Sequence, residues 1–150
     1  MSEQVAYLDS SAIVKRYIRE AGSDIVRRLY LRAYAGEVIL SYSTWNIGEV
    51  LGAFDKAVRL GRVSSEAYSL ARRRFLLETR RMARLGILVL VPVRLRILRA
   101  CWSLIEKHHI YQADALQIAS AKYVDARQFL TADEKLYSIA VEEGLNSIQL

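Results

Sequence analysis

Short apolar runs, each too short for a stable helix, are separated along this chain by segments of helical length. That alternation constrains the fold more than any other feature of the sequence. The runs are Val5 to Leu8, Glu37 to Ser41, Ile87 to Val91, Gln128 to Thr131 and Ser147 to Leu150. Strands alternating with helices must lie parallel, because each helix carries the chain back before the next strand begins, and such crossovers are right-handed. The expected fold class is α/β, a three-layer α/β/α sandwich with a central parallel sheet. The run at Ile87 to Val91 is the most apolar, as expected for a strand covered on both faces.

Helical spacing fills the intervals. A helix is expected from Ser11 to Arg19 and a second from Asp24 to Ala35, paired as a hairpin through a turn at Glu20 to Ser23. A third runs from Thr44 to Leu60 and stops at Gly61. Ser64 and Ser65 open a long fourth helix, with Tyr68, Ala71, Phe75, Met82 and Leu85 at core spacing and Gly86 as its stop. Arg94 to His108, Gln112 to Ala121 and Glu134 to Glu143 follow. His108 and His109 are adjacent and point in different directions, so they read as helix-terminus residues rather than a metal pair.

A chain of 150 residues with 53% hydrophobic content can bury one core, so residues 1–150 read as a single domain. No apolar stretch is long enough for a membrane span, and Met1 to Gln4 lack the order of a signal peptide. A cytoplasmic protein is expected. The one cysteine, Cys101, reads as a small core residue. Twenty-two basic against 16 acidic residues give a net charge of +6, which suits RNA, DNA or an acidic protein as partner. Much of the excess lies in Arg72, Arg73, Arg74, Arg80, Arg81 and Arg84, followed by Arg94, Arg96 and Arg99. These read either as a solvated helix face or, for Arg72, Arg73, Arg80 and Arg81, as phosphate contacts.

Four acids stand out by position. Asp9 follows the first strand directly, and Asp133 follows the fourth in Thr131-Ala132-Asp133. Each is either an N-cap of the next helix or a group delivered to the carboxyl edge of the sheet, where ligands bind in open α/β folds. Asp114 opens a helix that is apolar almost all round, so its carboxylate needs a cap role, a partner or a cation. Glu49 shares a helix side with Gly48 and Gly52, which a solvated face would not favour, although an ordinary exposed glutamate is the alternative. Together these acids form an all-oxygen set suited to Mg²⁺ or Mn²⁺ rather than zinc.

In this order and on these elements, Leu8-Asp9-Ser10-Ser11, Glu49, Asp114 to Ala119 (Asp-Ala-Leu-Gln-Ile-Ala) and Thr131 to Leu136 (Thr-Ala-Asp-Glu-Lys-Leu) resemble the PIN-domain ribonucleases, including toxins of VapBC-type pairs. The resemblance covers essentially the whole chain and implies a PIN-like, Rossmann-like fold. It implies metal ligands at Asp9, Glu49 and Asp114, with Asp133 a less constant fourth acid, and support from Ser10 and Thr131. It further implies an Mg²⁺- or Mn²⁺-dependent endoribonuclease acting on single-stranded or structured RNA, a homodimer, and a possible cognate antitoxin. Two other readings are weighed beside it. A catalytically weak or inactive RNA- or protein-binding module would be expected to lose one of the three core acids, and all three are present. An aspartyl phosphatase would want a second Asp two residues after the first, where Ser11 stands.

Overall fold

The computed structural model describes residues 4–150; Met1 to Glu3, part of the segment read above as lacking leader order, lie outside the described residues. The elements run β1 (Val5–Leu8), α1 (Ser10–Tyr17), α2 (Ser23–Tyr34), β2 (Ile39–Ser43), α3 (Trp45–Arg59), α4 (Ser65–Arg84), β3 (Leu88–Val91), α5 (Leu95–His108), α6 (Gln112–Tyr123), β4 (Gln128–Thr131), α7 (Glu134–Glu142) and β5 (Asn146–Gln149). The five strands form one sheet in the order β3-β2-β1-β4-β5, and every pairing is parallel. The chain winds from β1 through β2 to β3, then returns to the other side of β1 for β4. The order therefore reverses between β1 and β4, and the crevice beyond their carboxyl ends is where an open α/β sheet receives a ligand.

Side-chain alternation sorts the two faces. Tyr7 donates to Gln117 Oε1 on α6 at 2.9 Å, while Tyr42 bonds Thr79 on α4 at 2.8 Å. The helices α1 to α4 thus cover one face, and α5 to α7 the other, as right-handed crossovers require. Tyr7 is flanked in register by Ser41 and Phe129, a small and a large neighbour, and its ring stacks on Phe129 at 5.6 Å between centroids. The α1–α4 layer packs through edge-on contacts among Tyr17, Phe54 and Phe75. It is clamped by Glu78, which accepts two hydrogen bonds from Arg16 and one each from Tyr17 and Tyr34. Helix α6 is buried from Ala115 through Ala121, as its apolar sequence predicts, and Cys101 is fully buried. His108 is nearly buried and bonds Glu143 at 2.8 Å, and His109 ends α5 in the left-handed region (φ 55°).

Three expectations are corrected. The second strand begins at Ile39, not Glu37, because Gly36 (φ 77°) and the bond from Glu37 N to Arg32 O, 2.9 Å, use those residues to close α2. Strand β3 is not covered on both sides: it is the sheet edge, and Val89 is 41% exposed. Leu85 caps α4 and is exposed rather than in the core, since Ile87 N already turns back to Met82 O at 3.1 Å. Among the described residues, no helix is long and apolar enough to cross a membrane.

Candidate active site

Leu8 is the last residue of β1, and the next backbone amide, Asp9 N, bonds Leu130 O of β4 at 3.1 Å. Asp9 is therefore held at the reversal of strand order by the sheet itself. Its side chain is the N-cap of α1, with Oδ1 accepting from Ala12 N at 2.9 Å and from Ser11 Oγ at 2.6 Å. The other oxygen, Oδ2, accepts from Thr131 Oγ1 at the end of β4. The cap reading of Asp9 therefore holds, and the same carboxylate is fixed at the carboxyl edge of the sheet by the strand beside it. Burial pushes the Asp9 carboxyl up to about 6; the bonds from Ser11, Thr131 and Ala12 oppose that rise, and the charge of Asp133 adds to it.

Asp133 is exposed and caps α7, its Oδ1 accepting from Leu136 N at 3.0 Å. Its backbone N–H bonds Thr131 Oγ1, so the same hydroxyl serves both strand-end acids. Asp114 lies in the first turn of α6, where Tyr111 is the N-cap and no side chain caps the helix. The cap reading of Asp114 is thereby removed. Its carboxyl is raised, first by burial and then by the charge of Asp133, with Lys135 opposing. Glu49 is half-buried on α3 and accepts from Ser10 Oγ at 2.8 Å. A Cβ placed on Gly48 or Gly52 would meet nothing within 4 Å, so those glycines are not explained by a close approach within the chain.

A buried polar layer beneath the acids is absent from the sequence-based expectations. Asn46 Nδ2 donates to Gln117 Oε1 at 2.8 Å, and the same oxygen accepts from Tyr7. This joins the start of α3 to α6 and to β1. Gln117 is a polar residue in the same apolar helix that singles out Asp114, three positions earlier, so the same signal marks it. Ser11 is the other omission: it bridges Asp9 and the amide of Ala132, which accounts for a hydroxyl at that position.

The arginines divide by edge. Arg72, Arg73, Arg80 and Arg81 are all exposed on α4. The last turns of α4 lead into the amino end of β3, so Arg80 and Arg81 lie toward the edge opposite the acids. Arg94, exposed just after the carboxyl end of β3, lies toward the acids' edge, whereas Arg96 on α5 sets its guanidinium over the Tyr123 ring, 5.9 Å from the centroid, at the far end of α6 from Asp114.

The donor set fits a hard divalent cation, because it is entirely oxygen and because burial and mutual charge destabilise its ionised form without a counterion. Asn46 Oδ1 adds a buried oxygen without a hydrogen-bond partner. Among the described residues, no three His, Cys, Asp or Glu side chains are grouped closely enough to enclose an ion.

A family model described as PIN domain matches residues 6–142. Three solved structures share the fold. VapC20 of Mycobacterium tuberculosis, described as a Sarcin-Ricin loop cleaving toxin, is 15% identical with a TM-score of 0.63, over 98% of this chain and 100% of that one. FitAcB of Neisseria gonorrhoeae is 18% identical with a TM-score of 0.62, over 97% of each chain. VapBC2 of Rickettsia felis, bound to a DNA fragment from its promoter, is 14% identical with a TM-score of 0.61, over 98% and 99%. At these identities the likeness is one of fold. No curated protein matches the chain in sequence.

Proposed function

The chain belongs to the PIN domain family, and on that premise we propose that it is an endoribonuclease dependent on Mg²⁺ or Mn²⁺. The observation that carries the proposal is the placement of Asp9 and Asp133 just beyond the carboxyl ends of the two strands at the reversal of sheet order, both tied to the Thr131 hydroxyl. Asp9, Glu49 and Asp114 would hold the ion, with Asp133 as a fourth, weaker contributor. A bound divalent ion supplies a water activated for attack on phosphorus and stabilises the leaving oxygen.

The remaining roles belong to the chain's own groups. Thr131 and Ser11 hold the Asp9 carboxylate in one orientation, and Ser10 does the same for Glu49. Arg94 and Lys135 bring positive charge to the same edge for the RNA backbone. Purified protein is expected to cleave single-stranded RNA with Mg²⁺ or Mn²⁺ and to stop in EDTA; cleavage that continues in EDTA would defeat the metal mechanism. The open grouping of the acids favours one rival, a catalytically weak RNA-binding module. Metal-independent binding without cleavage would establish it.

A cognate antitoxin belongs to the same proposal, supported by the fold shared with VapBC2, and so does a homodimer. Exposed Leu95 and Trp102, two turns apart on α5, offer an apolar face for a second copy. The division of the arginines yields a further expectation. Removing one phosphate-binding arginine flattens the salt dependence of single-strand binding by roughly 0.7 in logarithmic slope. Arg94→Gln is expected to flatten it by that amount, and Arg80→Gln with Arg81→Gln by much less. Salt titrations of binding for both variants check this, and the reverse ranking would return the RNA backbone to α4.

A further inference from the structure

Each of the two helix-borne acids follows an exposed aromatic residue by one helical turn. Trp45 opens α3 four residues before Glu49, and Tyr111 caps α6 three residues before Asp114. Residues at these spacings share a side of their helix. Trp45 is 49% and Tyr111 86% exposed, large values for rings on helices that pack inward elsewhere. Among the described residues neither ring stacks on another ring or lies under a cation.

Both rings stand on rigid ground. Thr44 N bonds Val91 O at 3.0 Å, Trp45 N bonds Ser43 Oγ at 3.1 Å, and Tyr111 O receives Ala115 N at 3.1 Å. The bond from Asn46 to Gln117 ties the start of α3 to the middle of α6. The open space beside Gly48 leaves room next to Trp45 for a flat group. The occupant must tolerate acids and cations at one edge and present flat apolar faces. Unpaired nucleobases do so, and aromatic stacking is how single strands are gripped without regard to sequence.

We propose that Trp45 and Tyr111 stack the unpaired bases that flank the phosphodiester held at the acids, so that the site selects single-stranded RNA. The proposal rests on the endoribonuclease reading of the site. Continuity with the acids, Arg94 just beyond the end of β3 that bonds Thr44, and the net charge of +6 favour RNA over a second copy of the chain as the occupant.

The test uses full-length protein carrying Trp102→Phe, which leaves Trp45 as the sole tryptophan of the original two. It is titrated in EDTA with a single-stranded oligoribonucleotide and with an abasic strand of the same length, reading tryptophan fluorescence and the anisotropy of a labelled strand. The base-bearing strand is expected to quench Trp45 and the abasic strand not to. Trp45→Ala and Tyr111→Ala are each expected to weaken binding of the base-bearing strand by roughly 5- to 100-fold, with the abasic affinity and the salt slope unchanged. Trp45→Phe and Tyr111→Phe keep a ring and should bind within about twofold of wild type, which separates stacking from misfolding. Equal affinity for the two strands, an unquenched Trp45, or Ala variants that bind as wild type overturn the proposal. So does a shift from dimer to monomer in sedimentation of Trp45→Ala, which would assign the ring to an interface. Stacking without any metal-dependent cleavage leaves this inference standing and removes the nuclease reading; metal-dependent cleavage with indifferent Ala variants does the opposite.

Discussion

If the chain is the proposed ribonuclease, Asp9→Asn, Glu49→Gln and Asp114→Asn are each expected to reduce RNA cleavage by at least about 100-fold, since changing even the groups that orient metal ligands costs 10- to 100-fold. The amide variants are informative because Asn is as good an N-cap as Asp. At Asp9 the bond from Ala12 N survives, while the charge and the oxygen that accepts from Thr131 Oγ1 are both removed, so loss of turnover without loss of folding separates these from the cap. Pairs of these changes are expected to cost little more than the single ones, as groups that act as a unit do. Asp133→Asn loses less, because Asp133 is exposed and its bond to Leu136 N is retained. Asp133→Ala instead loses that cap, at about 0.5 to 2 kcal/mol of stability. Single-turnover cleavage of a labelled strand measures the series; wild-type turnover in Asp114→Asn would show that this carboxylate is outside the site.

In metal-free protein, Asp9 is expected to contribute stability that grows on mild acidification, opposite in sign to Glu143 and Glu78, whose carboxyls are lowered by their partners. Burial raises the Asp9 carboxyl from 3.8 to about 6, so the folded state holds that proton more tightly than the unfolded chain. A group raised in this way contributes stability below its unfolded value and loses it as pH climbs through the folded one. The contribution should therefore be full below about pH 4, fall between about pH 4 and 6, and stay lost above, a swing on the order of 3 kcal/mol. Asp114, half-buried and raised in the same direction, adds a smaller swing. Denaturant unfolding in EDTA across this range, for wild type and Asp9→Asn, gives the difference profile; parallel curves would mean that Asp9 carries no such penalty. At neutral pH, Mg²⁺ or Mn²⁺ at a hundredfold excess over its Kd should restore about 2.7 kcal/mol to wild type and much less to Asp9→Asn.

Local chemistry made much of this legible in the amino-acid order. The run Gln128 to Thr131 has the bounds of β4, and the apolar circumference of Gln112 to Ala121 anticipates the burial of α6. Both follow from side-chain periodicity, which needs only neighbours in sequence. Asp9 and Asp133 were visible as acids placed at strand ends for the same reason. Where local signals competed, tertiary structure chose. Glu37 has the spacing of a strand, yet its amide is taken by the closure of α2, and Leu85 has core spacing but falls where α4 has already turned away. Strand order was not written in any single run, so neither the edge position of β3 nor the remoteness of Arg80 and Arg81 from the acids could be read beforehand. The bond between Thr131 and Asp9 spans 122 positions, and that between Asn46 and Gln117 spans 71. Such pairs are decided by the order in which strands pack, because only the closed sheet brings distant residues to one edge and withdraws them from water together, which is also what raises Asp9.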